Sequence, residues 1–241
     1  MFKNIGIVGF GPFAQLIVKE LNKRVDNLLI YNRSPITIDL PANAKQVELS
    51  VLAKAELIII AVPFSAFKPI LSELKDYLNP QAIVIDVCSV KTFPIETMLK
   101  ILPKTISVVG THPLFGPETI TELDHPEVVV CRGRGQEAEQ KVVQLIEDLG
   151  CKVRFLSPES HDKEMAVVHG LTFYIAQAIL DLNLGKTESS TVFFGHLQKL
   201  AEIQSHHSND LTMTVEKYNP YSGDMRSKLL NILSELDRKY R

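Results

Sequence analysis

Short apolar runs alternate with amphipathic stretches over the first two thirds of the chain. Lys3 to Val8 reads as a strand, and Ala14, Ile17, Val18 and Leu21 then share one face of a helix. Leu28 to Tyr31 gives a second strand and closes a compact βαβ unit. Leu57 to Val62 is almost wholly apolar, as a parallel strand covered on both faces should be, and Pro63 ends it. Phe67, Ile70, Leu71 and Leu74 mark a helix, Ala82 to Val87 a strand, and Lys91 to Leu102, with Pro94 near its start, another helix. Ile106 to Val109 is a short buried strand. Glu127 to Cys131 and Lys152 to Phe155 are late strands separated by a helix from Gln136 to Leu149. This alternation predicts an α/β fold with a doubly wound, mostly parallel sheet.

The pattern changes near Phe155. Ser157-Pro158-Glu159 is a helix start, with Ser as N-cap, Pro at the first helical position and a carboxylate in the first turn. One long helix is expected from there to about Leu182, with His161, Met165, Val168, His169, Thr172, Ala176 and Ile179 on one stripe. Phe193 to Tyr218 reads as a second helix ended by Asn219-Pro220, and Leu229, Leu230, Ile232, Leu233 and Leu236 give the last helix an apolar face. The expected division is therefore an α/β domain over 1–155 and a small all-helical C-terminal domain over 156–241. The helical part is too small to bury much apolar surface alone, so a homodimer through the C-terminal helices is expected.

Composition narrows the partners. With 45% hydrophobic residues and a net charge of -2, the chain lacks the electrostatic footprint of a nucleic-acid or anionic-membrane protein. The longest apolar run, Leu57 to Val62, is far below the roughly 20 residues of a membrane span. Cys88, Cys131 and Cys151 are sparse and lack CxxC spacing, which argues against disulfides or zinc and suits a reducing cytoplasm. No metal is expected: His161 and His169 lie two helical turns apart without an acidic ligand nearby.

The chemistry begins at Gly9-Phe10-Gly11-Pro12-Phe13-Ala14. Gly9 permits a tight strand-to-helix turn, Gly11 lets a pyrophosphate approach the backbone, and Ala14 is the small residue where helix and strand pack. The helix N-terminus offers amide groups to phosphate. Following a strand and opening a helix, this GxGxxA predicts a Rossmann-like dinucleotide site rather than a mere structural turn. An NAD enzyme usually carries a carboxylate after the second strand; here stand Asn32, Arg33 and Ser34. Nothing there repels a 2′-phosphate and Arg33 can pair with it, so NADP is favoured, with NAD possible and a solvated turn as the plain reading. Val62 and Pro63 either border the nicotinamide or simply terminate their strand.

Gly110-Thr111-His112-Pro113-Leu114-Phe115-Gly116-Pro117-Glu118 follows the buried strand at 106–109. Its glycines and prolines predict a stiff loop at the sheet's carboxyl edge, with His112 at its first bend. Ser89 follows a neighbouring strand, and Lys91 is a cation that could bind a carboxylate. His112 can accept a hydroxyl proton as hydride leaves the same carbon. Asp86 suits a turn cap and Cys88 a buried filler. His161, in a first helical turn, suits a neutral hydrogen-bonding partner. His169 faces either core or cleft, and His206-His207 reads as exposed.

Together these residues resemble the prephenate/arogenate dehydrogenase family, closest to its cyanobacterial and plant type. The marks are the glycine loop, Ala61-Val62-Pro63, Asp86 with Ser89-Val90-Lys91, Gly110-Thr111-His112-Pro113-Leu114-Phe115-Gly116, His161-Asp162, and Asn219-Pro220-Tyr221-Ser222. The resemblance implies NADP-linked oxidative decarboxylation of a cyclohexadienyl acid in tyrosine biosynthesis. It implies His112 as catalytic base, Ser89 as its assistant, and a dimerising helical domain. Phe173 follows Leu171-Thr172 where such members often carry His, and His169 lies one turn earlier as the substrate-binding candidate. An arginine-rich Phe-Arg-Asp segment is missing, leaving Lys91 and Arg226 as carboxylate-binding candidates. Two other readings share the glycine loop: a β-hydroxyacid-dehydrogenase-type reductase, and a non-catalytic nicotinamide-binding regulator.

Overall fold

A computed structural model describes residues 2–185 and 189–241. The chain forms two compact units, Met1–His161 and Asp162–Arg241. They part inside the helix Pro158–Met165, a few residues beyond the boundary expected at 155/156.

The first unit is built on an eight-stranded sheet. Its strands are β1 Asn4–Val8, β2 Asn27–Tyr31, β3 Ala44–Gln46, β4 Leu57–Ile60, β5 Ile83–Asp86, β6 Ser107–Pro113, β7 Glu127–Arg134 and β8 Lys152–Leu156. Their order is β3-β2-β1-β4-β5-β6-β7-β8. The first six are parallel; β7 pairs antiparallel with β6, and β8 runs parallel to β7. The helices are α1 Pro12–Leu21, α2 Leu49–Leu52, α3 Phe64–Leu74, α4 Thr92–Ile101 and α5 Gln136–Asp148. Ala14 and Val18 of α1 and Val142 and Ile146 of α5 pack with Ile5, Ile7 and Ile59 on one face. Leu52, Phe67, Leu71 and Met98 from α2 to α4 pack with Val8, Ile58 and Ile60 on the other. The unbroken Leu-Ile-Ile-Ile of β4 follows from this, since both of its faces are buried.

Two differences from the sequence pattern bear on the site. The segment expected to be a loop from Gly110 is strand as far as Pro113, because β7 supplies a partner: His112 lies opposite Val129 and Pro113 opposite Val128. Pro113 is tolerated as the last strand residue. Gly110 answers to packing rather than turning, since a Cβ there would lie 2.5 Å from Ile95 Cδ1. Second, residues 32–56 hold β3 and α2, both too short to raise a periodic signal.

In the second unit, the expected long helix carries a π-helical turn, Ala166–Leu171, followed by α7 Thr172–Asp181; α6 is Pro158–Met165. The turn shifts the predicted stripe out of phase. It brings Gly170 so close to the last helix that a Cβ would meet Ser222 Oγ at 2.7 Å. The helix expected over 193–218 is two, α8 Val192–His206 and α9 Asn209–Lys217. Ser208 splits them, its Oγ accepting from Leu211 N as an N-cap. The last helix, α10, is Ser222–Tyr240. Val192 and Phe193 on α8 and Leu230, Leu233 and Tyr240 on α10 are exposed. No helix among the described residues is long and apolar enough to cross a membrane.

Candidate active site

The parallel strands of the first unit all end at one edge, and the predicted cofactor residues gather there. Gly9 leaves β1 with φ +98°, and its N–H donates to Tyr31 O at 2.8 Å. A Cβ on Gly9 would sit 2.3 Å from Ala61 O and 3.1 Å from Val62 Cγ1, so the glycine turn lies directly against the Ala61-Val62-Pro63 strand end. At Gly11 the position of an absent Cβ is open, with no atom within 4 Å. Gly11 is the N-cap of α1 and Pro12 its first residue, so amide groups of the first turn have no capping side chain. Ala14 is buried, Phe10 packs against the core, and the Phe13 ring lies 6.2 Å from that of Phe115.

The turn after β2 is shaped by Gln46, a residue the sequence pattern did not single out. Its Nε2 donates to Asn32 O and Ser34 O, both at 3.1 Å, and its Oε1 accepts from Ile36 N at 2.8 Å. Asn32 Nδ2 also donates to Ser34 O, and Arg33 is left on the exposed side of the turn. These residues fit a dinucleotide: a phosphate can approach at Gly11, and beyond β2 no carboxylate stands in Asn32-Arg33-Ser34 to oppose one.

At the neighbouring strand ends stand Asp86, Ser89, Lys91 and His112. Lys91, the candidate for a substrate carboxylate, already has partners for its ammonium. It is fully buried, ion-paired with Asp86 Oδ1, and its Nζ donates to Thr111 O at 2.6 Å. Burial pushes the Asp86 carboxyl up from its ordinary value, against the pull of the Lys91 ammonium. Asp86 does cap the turn as expected, accepting from Cys88 N at 2.9 Å. Half-buried Ser89 follows Cys88 in that turn. Asp86 is the register partner of Gly110, so the turn carrying Ser89 follows β5 beside the stretch of β6 that continues to His112.

His112 is 3% exposed, and its Nδ1 lies 2.8 Å from Nε2 of fully buried His161, the rings meeting edge-on at 70°. The neutral hydrogen-bonding role expected of His161 thus has its partner in His112. The available signal was its place one turn inside the helix capped by Ser157, whose Oγ accepts from Ser160 N at 3.0 Å.

The second unit treats its predicted residues differently. His169 stacks on Phe173 at 5.6 Å between ring centroids, and Phe173 on His207 at 4.5 Å. Phe173 thus holds two imidazoles, and His207, expected to be exposed, is half-buried. Arg226 is paired with Glu216, its Nη1 donating to Oε2 at 2.6 Å and to the backbone O at 2.7 Å. Among the described residues no group of three His, Cys, Asp or Glu is placed to hold a metal.

The model of the prephenate dehydrogenase nucleotide-binding domain matches residues 32–154, just over half the chain. The chain belongs to the prephenate dehydrogenase family. The matched segment begins beyond the glycine loop and includes Ser89 and His112. Arogenate dehydrogenase 1, chloroplastic, of Arabidopsis thaliana is 27% identical over 232 residues, 90% of this chain and 36% of that protein. The T-protein of Haemophilus influenzae is 31% identical over 125 residues, 52% of this chain and 32% of that protein. The chain therefore spans about a third of the length of these curated relatives. Prephenate dehydrogenase from A. aeolicus, solved in complex with hydroxyphenyl propionate and NAD+, superposes with a TM-score of 0.77. It is 22% identical, covers 100% of this chain and 92% of its own, and shares the fold.

Proposed function

We propose that the chain is an NADP-dependent dehydrogenase that oxidatively decarboxylates prephenate or arogenate. The observation that carries this reading is His112, buried on β6 at the dinucleotide edge and bonded through Nδ1 to His161. A base must accept at Nε2 while Nδ1–H donates to His161 Nε2, so His161 has to be neutral and protonated on its own Nδ1. The positive end of the α6 dipole disfavours an imidazolium at His161, which supports that assignment. His112 then takes the ring hydroxyl proton as hydride leaves the same carbon. The departing carbon dioxide leaves its bonding pair to the ring, which becomes aromatic. Ser89 orients the hydroxyl or the imidazole, and a bound nicotinamide would supply the hydride acceptor. The oxidised cofactor bound by the A. aeolicus structure supports that chemistry.

The turnover test uses purified protein with NADP or NAD and with prephenate, arogenate or neither, following absorbance of the reduced cofactor. Reduction that depends on one of the two acids is expected. Arg33 supports NADP. Arg33→Ala should raise the Michaelis constant for NADP by about tenfold, the worth of one charge-assisted hydrogen bond, and leave that for NAD nearly unchanged. A wild-type preference for NAD would remove the NADP assignment.

The apolar side chains exposed on α8 and α10 support a homodimer through the helical unit. Light scattering at micromolar concentration should give twice the chain mass, and a monomer would count against it. One observation favours a second reading, a regulator that binds nicotinamide without turnover: Lys91 and Arg226, the candidate carboxylate grips, are each paired within their own unit. Cofactor binding without reduction on either acid would select it.

A further inference from the structure

Asp86 and Lys91 are both fully buried, and the reaction proposed above uses neither. Each is tied to the residue preceding a catalytic candidate. Asp86 Oδ1 accepts from Cys88 N, and Ser89 comes next. Lys91 Nζ bridges Asp86 Oδ1 and Thr111 O, and His112 comes next. Thr111 Oγ1 closes the loop by donating to Asp86 O at 2.5 Å. The opposite wall is equally tight, since Gly110 has no room for a Cβ beside Ile95 and Lys91 Cδ.

We propose that the Asp86–Lys91 pair is a positioning device that fixes the Ser89 turn and the His112 strand relative to each other. The inference rests on the functional reading above and adds two residues to it. Stability does not explain the pair. A buried ion pair rarely outperforms apolar residues of the same volume, and burial has already raised the Asp86 carboxyl. The bonds of the Asp86 carboxyl converge on Oδ1, and Oδ2 accepts none among the described residues. What a lysine supplies here and an apolar residue cannot is a directional bond to the Thr111 carbonyl. It holds the β6 backbone one residue before the base. Misplacing a catalytic group by about 1 Å can cost about 10²-fold in rate.

The decisive comparison is between Lys91→Met, which cuts the Thr111 bond, and Asp86→Asn, which keeps an oxygen for both Cys88 N and Lys91 Nζ. Lys91→Met should lower kcat by roughly tenfold to a hundredfold with the cofactor Michaelis constant unchanged. It should also move the His112 imidazole resonances in nitrogen-detected NMR. Asp86→Asn should retain far more kcat even where it lowers the melting temperature. The double variant Asp86→Asn with Lys91→Met leaves no lone buried charge and should reproduce the loss of Lys91→Met, covering a failure of that single variant to fold. Wild-type kcat with unmoved His112 resonances in the Lys91→Met or double variant would overturn the proposal. So would losses in Lys91→Met and Asp86→Asn that simply track their melting temperatures. Should the wild type turn over neither acid, the functional reading fails, and the His112 resonances still test the positioning role.

Discussion

Replacing His112 by Asn should lower turnover by about 10²- to 10⁴-fold and leave cofactor affinity where it was. Asparagine is small enough for the buried site on β6, and its amide can still meet His161 Nε2, now 2.8 Å from the imidazole. The strand should hold, because its ladder with β5 and β7 is made by backbone groups. The one property lost is proton acceptance near neutral pH. Stopped-flow measurement of cofactor reduction, beside equilibrium titration of the cofactor, separates the two effects. A variant with wild-type turnover would remove His112 from the chemistry, whereas a variant that also lost cofactor binding would show that the fold had been damaged.

Gly9→Ala should act on binding instead of turnover. An alanine at φ +98° is strained by about 1–3 kcal/mol, and its Cβ would press on Ala61 O, a backbone atom that cannot rotate away. Ala61 is itself held, its N–H donating to Val8 O at 2.8 Å. The glycine turn and the Ala61-Val62-Pro63 end must therefore separate. The cofactor dissociation constant should rise at least about tenfold, the equivalent of 1.4 kcal/mol, together with a lower melting temperature. Gly11→Ala is the control. Its Cβ enters open space, so the melting temperature should hold while binding weakens through the phosphate approach alone. Unchanged dinucleotide affinity in Gly9→Ala would contradict the placement of the cofactor on this turn.

The parts of the fold legible in the sequence are those with a long or chemically specific signal. The apolar run of β4 and the amphipathic faces of α1 and α5 announce a parallel sheet covered by helices. The glycine loop declares its own location. Features that depend on a distant partner were not legible. Pro113 and Gly110 look like breakers along the chain, yet β7 pairs with the strand that contains them, and Ile95 explains the glycine. Lys91 reads as a cation that could bind a carboxylate, and only the fold shows Asp86 and Thr111 around it. His161 lies 49 residues from His112, a separation no local pattern spans. The π-turn at 166–171 likewise has no periodic signature, and it shifts the stripe expected along that helix.

The reversal of β7 also bears on the order in which the sheet can assemble. Pro113 meets Val128 across only 15 residues of chain, whereas the central parallel pair joins Ile5 to Leu57 across 52. By the logarithmic growth of loop-closure entropy, the first contact is cheaper to close by about 1 kcal/mol. The hairpin-like pairing that carries His112 thus has a lower entropic barrier to nucleation than the β1–β4 pairing, which the packing of Gly9 against Ala61 must await.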